Sequence, residues 1–309
     1  MFFKNYRYFL TIADQGGLSK AAESLYLSQP SLSKYVSRLE TELGVELFDH
    51  STSPLQLTHA GKRYYAYAKR LLSLEQQFEN ELSSLRAHES GVIRIGIAQW
   101  RGSILLPSLI PAFQKVYPHY HIEVLEGRAK QIEAALIQGK VDICLMNLPS
   151  HFPNQTVRRI LWNERLLLVG NKNHPVVQQA LSQLPVQPDG YRHIDIQFLE
   201  NEHFISLKPG QNAAIATQQL FEAHNLTPKS TWETENISTA LNMVSLNQGF
   251  TMMPEAGARI AKLPDNLAFF TVSHAVQMFS FAAVYRKDFV PGKPINTLLE
   301  LAQEIYNNA

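Results

Sequence analysis

Cysteine is almost missing from this chain: Cys144 is the only one in 309 residues. No disulfide can form within the molecule, and an oxidising compartment is not implied. Long apolar runs are missing as well. Nothing approaches the length of a bilayer span, and the opening MFFKNYRYFL lacks the apolar core of a secretory signal, so a soluble cytoplasmic protein without membrane contact is expected. There is no G-x-S-x-G, no phosphate-binding glycine loop and no catalytic triad. Enzyme chemistry therefore has no named residues, and neither catalysis nor a cofactor is expected. His119-x-His121 places two imidazoles on one face of a strand, but no third ligand follows at sensible spacing, which argues against a metal site. Cys144 sits in an apolar strand and reads as a packing residue, as Met252 and Met253 do. The formal net charge is only +1 and points to no class of partner.

What is present is length for more than one domain and ample apolar content for sizeable cores. The first 72 residues lean basic. Lys4, Arg7, Lys20, Lys34, Arg38, Lys62, Arg63, Lys69 and Arg70 face Asp14, Glu23, Glu40, Glu42, Glu46 and Asp49. Within them, 18–43 reads as two short helices around a tight turn. From Gln29 onward, at about 100° per residue, Leu32, Tyr35, Val36, Leu39 and Leu43 share one arc. Gln29, Pro30, Ser33, Lys34 and Ser37 share the opposite one. One side packs, and the other has nothing inside the protein to bury it. Ser28 is placed to cap this helix, and Pro30 is tolerated in its first turn. Upstream, Ser19 is placed to cap a helix whose Ala21, Ala22 and Leu25 allow close crossing; 26–28 form the turn. A helix over 4–14, with Tyr6, Phe9, Leu10 and Ala13 inward and Gly16-Gly17 ending it, completes a three-helix core. Gln, Ser and Lys can bond base edges and phosphates from a helix laid in a major groove, although the same pattern also suits a solvated face.

The run Ala21-Ala22, then Leu27-Ser28-Gln29-Pro30-Ser31-Leu32-Ser33, Leu39-Glu40-x-Glu42-Leu43-Gly44-Val45-x-Leu47-Phe48 and Leu57-Thr58-x-Ala60-Gly61 resembles the N-terminal domain of LysR-type transcriptional regulators. The similarity continues more loosely through nearly all of the chain. It implies double-stranded operator DNA as a partner. The family's DNA contacts carry over onto Gln29, Pro30, Ser33 and Lys34, with Ser31 and Ser37 on the same face and Ser19 and Lys20 near phosphate. Val45-x-Leu47-Phe48 and Leu55-x-Leu57 flank a polar stretch and look like a winged hairpin. Here the chain departs from its family, whose wings carry arginine: His50, Ser51, Thr52 and Ser53 offer no certain positive charge. Fewer neutralised phosphates mean weaker binding with a flatter salt dependence.

Thr58 is a good N-cap for a long helix reaching about Leu85. Along it Tyr64, Ala68, Leu71, Glu75, Phe78, Leu82 and Leu85 alternate by four and three, the seam of a left-handed coiled coil. The family uses this helix as a dimer linker, which implies a homodimer or homotetramer; packing on the chain's own regulatory domain is the other use of such a stripe. Segment 86–91 is a plausible hinge. The expected division is a winged helix-turn-helix over 1–58, linker helix and hinge over 59–90, and an effector-binding domain over 91–309.

Beyond the hinge, strand and helix signals alternate, which means βαβ units and a parallel sheet. Strands are expected at 92–98, 121–125 and 141–146, and again from Leu166 and at 204–207, 230–235 and 250–253. Two more, 267–272 and 279–285, are expected to return to the first lobe before a closing helix over 295–306. The layout resembles the two-lobed, periplasmic-binding-protein-like α/β effector domain of the LysR family, with lobe I about 91–163 and 268–309, and lobe II about 164–267. The stretch 174–193 looks longer than its connection needs and reads as a loop insertion.

In open α/β sheets, ligands gather outside the C-terminal strand ends, where helix amides point outward. That nominates Gln99, Trp100, Arg101, Gly102 and Ser103, then Asn147, Lys208 and Gln211, then Asn236 and Ser238. Trp100 stands where the family commonly has Ser or Thr, and its ring could stack on a flat small-molecule effector or fill the pocket. Arg101 and Lys208 suggest an anionic effector, although cations at loop starts are often plain surface charges. Three functions compete: a ligand-responsive transcription factor, a solute-binding protein of transport type, and an α/β enzyme with an accessory domain. The N-terminal helices and the missing signal count against the second, and the lack of a nucleophile or cofactor motif against the third.

Overall fold

A computed structural model describes residues 3–52, 54–85, 90–148, 156–209, 211–272 and 278–309. The chain divides into two compact units close to Gly91.

The N-terminal unit holds α1 (Tyr6–Gln15), α2 (Leu18–Ser24), α3 (Gln29–Leu43), the hairpin strands β1 (Phe48–Asp49) and β2 (Gln56–Leu57), and the long α4 (His59–Leu85). Gly16 and Gly44, both left-handed, end α1 and α3, since only a residue without Cβ takes that conformation at no steric cost. Leu32, Val36 and Leu39 of α3 are buried with Phe9, Ile12, Ala21, Ala22, Leu47 and Phe48. The wing is pinned to α3 by Glu40, whose Oε1 accepts from the amides of Leu47 at 2.7 Å and Phe48 at 3.0 Å. Thr58 caps α4: its hydroxyl accepts from Gly61 N at 3.0 Å. Gly61 itself is a packing requirement, because a Cβ there would stand 1.9 Å from the Leu47 carbonyl oxygen.

Three local expectations are corrected. Ser19 does not cap α2, which Gly17 precedes. Ser28 occupies the cap position of α3, but its hydroxyl pairs with that of Ser31 at 2.7 Å instead of a backbone amide. The expected coiled-coil seam is also largely turned inward. Tyr64 and Ala68 are buried in the core of their own unit, Leu71 packs beside them, and Glu75 accepts from the Tyr6 hydroxyl and from Arg7, both at 2.7 Å. The reason is that α1 needs a partner helix and takes this face of α4. Phe78 is exposed, and so are Tyr67 and Leu74. The side chains of Leu82 and Leu85 lie outside the described part of the structure, as do residues 86–89 of the expected hinge.

In the C-terminal unit, lobe I is built from β3 (Ser90–Ile97), α5 (Gln99–Val116), β4 (His119–Glu126), α6 (Ala129–Ile137), β5 (Ile143–Asn147) and the first part of β6 (Thr156–Asn171). Lobe II continues along β6 with α7 (Pro175–Gln183), β7 (Arg192–Ile194), β8 (His203–Leu207), α8 (Asn212–Ala223), β9 (Ser230–Thr234), α9 (Ile237–Ser245) and β10 (Thr251–Pro254). A short α10 (Glu255–Ile260), β11 (Leu267–Val272), β12 (Met278–Arg286) and α11 (Lys293–Asn307) close the chain. Parallel pairing joins β3 to β5 and β8 to β9, while β12 runs antiparallel between β5 and β6.

One continuous strand, β6, runs through both lobes. Residues Thr156 to Arg165 pair with β12, and Leu166 to Asn171 pair with β10 and β11. Its Leu166–Val169 run is apolar throughout because helices cover both sheet faces. The register slips between Phe281 and Ala282, which face Trp162 and Ile160. Leu161 is thereby bulged, so Leu161, Trp162 and Glu164 all turn inward.

Two more expectations change. β11 pairs with the second-lobe part of β6 and with β7, so it belongs to lobe II rather than returning to lobe I. The stretch 174–193 is not a loop: it holds α7 and leads into β7, which pairs in parallel with β11 and extends the second-lobe sheet.

Candidate functional site

The residues nominated from the sequence fall on two surfaces. On the first, Gln29, Pro30, Ser31, Ser33, Lys34 and Ser37 are all exposed along α3, and Ser19 and Lys20 are exposed on α2. These are the side chains that the packing of Leu32, Val36 and Leu39 leaves outward. Ser19 Oγ donates to Gln29 Oε1 at 3.3 Å. In the turn between the helices, Tyr26 is 96% exposed and holds φ at 54°. The wing carries no added cation among its described residues. Instead the Asp49 carboxylate accepts from the Ser51 hydroxyl at 2.6 Å and the Ser51 amide at 3.0 Å. These bonds, the hydroxyl first, hold it below the usual carboxylate range.

The second surface lies between the lobes, at the C-terminal ends of β3, β5, β8 and β9. Gln99, Trp100 and Arg101 open α5, Gln211 precedes α8, and Asn236 caps α9 by accepting from Ser238 N at 2.8 Å. Gln99, Ser103, Lys208 and Ser238 are exposed; Gly102 is buried. Asn147 ties the lobes together: its carbonyl oxygen accepts from Asn212 Nδ2, on α8, at 3.1 Å.

Arg101 does not face the cleft as a ligand for an anion, which corrects the sequence expectation. Its guanidinium is enclosed. It donates to Glu164 at 2.5 and 3.3 Å and to Asn147 Oδ1 at 3.1 Å, and it lies 4.7 Å from the centroid of the Phe281 ring. Glu164 also accepts from Asn147 Nδ2 at 3.0 Å and from Ala256 N at 2.9 Å. A buried charge is tolerated only when paired and hydrogen-bonded in this way. Sequence reasoning missed Glu164 because it sits within a strand, far along the chain from its partner.

Trp100 fills space rather than lining it. The indole packs on the second-lobe cluster around Ile205, Leu207 and Met253. It also rests on Gly257, where a Cβ would come within 2.8 Å of the ring. At the cleft mouth, Glu235 of lobe II pairs with Lys208 at 3.4 Å and with Arg128 of lobe I at 2.8 Å. Bonds from Arg128 and then Lys208 lower its pKa. Arg128 was not nominated from the sequence; its place just before α6 shows only in three dimensions. Cys144 is buried in β5, where burial pushes its thiol up to about 12, so it is a poor nucleophile. Among the described residues, no cluster of metal-ligating side chains occurs, and no helix is long and apolar enough to cross a membrane.

Comparison with known proteins accounts for both units. A model described as "Bacterial regulatory helix-turn-helix protein, lysR family" matches residues 3–62, and one described as "LysR substrate binding domain" matches residues 86–306. The transcriptional regulator BenM of Acinetobacter baylyi is 29% identical over 254 residues, covering 81% of this chain and 79% of its own. YybE of Bacillus subtilis, an uncharacterised regulator of the helix-turn-helix type, is 28% identical over 249 residues and 80% of each chain. Among solved structures, a full-length OxyR from Pseudomonas aeruginosa has a TM-score of 0.71 at 24% identity, over 97% of this chain and 93% of that one, a likeness of fold alone. Full-length BenM has a TM-score of 0.58 at 26% identity, over 98% and 95%. None of these relatives is a transport protein. The chain belongs to the LysR family: it is a LysR-type transcriptional regulator, with a helix-turn-helix DNA-binding domain at its N-terminus and an effector-binding LysR substrate domain at its C-terminus.

Proposed function

We propose that α3 is the DNA-reading helix of a cytoplasmic regulator and enters the major groove by its first turns. Gln29, Pro30, Ser31 and Ser33 meet base edges, while Lys34, Ser37 and Lys20 meet phosphates. The supporting observation is the division of α3 into a buried apolar arc and a bare polar arc. Gln29→Ala should alter base preference. Lys34→Ala should weaken all sequences alike and reduce the salt slope by about 1. If binding by both variants matched the wild type, α3 would lose its role.

The effector reading rests on the mouth of the cleft. Two cations, Arg128 and Lys208, share one carboxylate, Glu235. A small anion entering between the lobes takes the place of that carboxylate on the two cations. Small carboxylic acids should raise the melting temperature of the full chain, and more so in Glu235→Gln. Stabilisation by neutral analogues alone would refute the anionic class.

The dimer seam is shifted from the one expected. With Tyr64 and Ala68 turned inward, the apolar stripe left bare among the described residues of α4 is Tyr67, Leu74 and Phe78, with half-buried Leu71 between them. These positions also alternate by four and three. Leu74→Asp should lower the oligomeric state in sedimentation; no change would exclude this stripe.

A further inference from the structure

Ser19 is the second residue of α2 and Gln29 the first of α3, and the Ser19 Oγ to Gln29 Oε1 bond of 3.3 Å is the one side-chain hydrogen bond between these helices among the described residues. Neither group is engaged in capping: Gly17 precedes α2, and the Ser28 hydroxyl is paired with Ser31. A serine hydroxyl has a single proton. While that proton goes to Gln29, none remains for a phosphate oxygen, which can only accept. The bond therefore competes with the backbone contact expected of Ser19. In the orientation observed it holds the Gln29 amide by its oxygen. Oε1 is engaged, and both Nε2 protons are without a partner among the described residues.

We propose that Ser19 is a positioning residue for base readout, holding the Gln29 amide so that its Nε2 protons meet an acceptor on a base edge. In the major groove such acceptors are guanine O6 and N7, adenine N7 and thymine O4. Without the hydroxyl, the Gln29 side chain loses the contact that places its amide and samples rotamers that miss the base edge. Discrimination at that base pair then falls, while the phosphate contacts that set overall affinity are untouched. This rests on α3 being the reading helix.

The test uses the full chain as wild type, Ser19→Ala, Ser19→Thr, Gln29→Ala and the Ser19→Ala/Gln29→Ala double variant. Each selects from a pool of short duplexes with a randomised centre. Affinities for the wild-type winner and its single-base variants are then measured across a salt series. One lost hydrogen bond lowers a binding ratio by about three- to tenfold. Ser19→Ala should therefore lose about that much discrimination at one base pair per half-site, with the salt slope unchanged. Ser19→Thr, which keeps the hydroxyl, should restore it. On the Gln29→Ala background, Ser19→Ala should change nothing further. A uniform loss across all sequences would make Ser19 a phosphate contact, and an unchanged base preference would leave it no part in readout; either overturns the proposal. If the wild type enriched no sequence, the reading role of α3 would fall along with it. If only the Gln29→Ala variant changed preference, α3 would stand and the inference about Ser19 alone would fall.

Discussion

Glu164 holds Arg101 from across the sheet: its carboxylate lies 2.5 Å from Nη2 and 3.3 Å from Nη1, and the two side chains are 0% and 3% exposed. Their contact joins the start of α5 to the crossover strand beside the point where β6 leaves lobe I. Removing one partner of such a pair strands a buried charge. Glu164→Ala should destabilise the C-terminal unit by about 3–5 kcal/mol, read as a lowered urea midpoint in tryptophan emission. The joint replacement Arg101→Met and Glu164→Leu removes both charges and should recover most of that loss. An unaltered midpoint in Glu164→Ala would show that the pair adds nothing to stability.

Gly257 lets Trp100 seat between the lobes. A Cβ at this position would stand 2.0 Å from Met253 Cε and 2.8 Å from the indole, so Gly257→Ala must move one of them. Overpacking of this kind costs about 1–3 kcal/mol. The expected result is a drop in melting temperature together with a red-shifted emission from Trp100, isolated by subtracting the spectrum of Trp100→Phe. A drop without a shift would mean that Met253 gave way instead.

Tyr26 holds φ at 54° while 96% exposed. A left-handed backbone costs an L-residue about 1–2 kcal/mol, and so exposed a ring gains little packing in return. Tyr26→Asn should stabilise the N-terminal unit by about 0.5–1 kcal/mol. Equal stability in chemical denaturation would show that the strain is relieved elsewhere in the turn.

Asp189 is pulled two ways. Burial raises its pKa, but the Tyr191 amide, His193 and Arg165 outweigh this and bring it from 3.8 to about 2. A depressed carboxylate contributes stability that is fully present above its unfolded pKa and is lost as pH falls through the folded one. The C-terminal unit should therefore weaken between about pH 4 and pH 2 as Asp189 takes up its proton. In Asp189→Asn this part of the acid transition should flatten in a melting series. A wild-type curve that is already flat there would count against the pairing with Arg165.

How much of this was legible in the sequence depended on how local the cause was. The α3 wheel predicted its buried arc, Leu32, Val36 and Leu39, because helical periodicity depends on neighbours four residues away. Strand and helix alternation likewise placed the ends of β3, β5, β8 and β9. The α4 seam was misassigned for a physical reason: an apolar stripe states that something must cover it, and α1 of the same chain competed with a second copy. Arg101 failed in the same way. A cation at a helix start looks available until the strand that carries Glu164 is laid against it.

The sequence alone therefore determined the family, the bare face of α3 and the order of elements around the cleft, since each follows from spacing along a few turns of chain. Tertiary structure alone decided which charges remain available. It enclosed Arg101 with Glu164, set Arg128 and Lys208 around Glu235, and turned Tyr64 and Ala68 inward. The strength and availability of a charge or an apolar surface depend on what comes to lie against it, and those neighbours are brought in from distant parts of the chain.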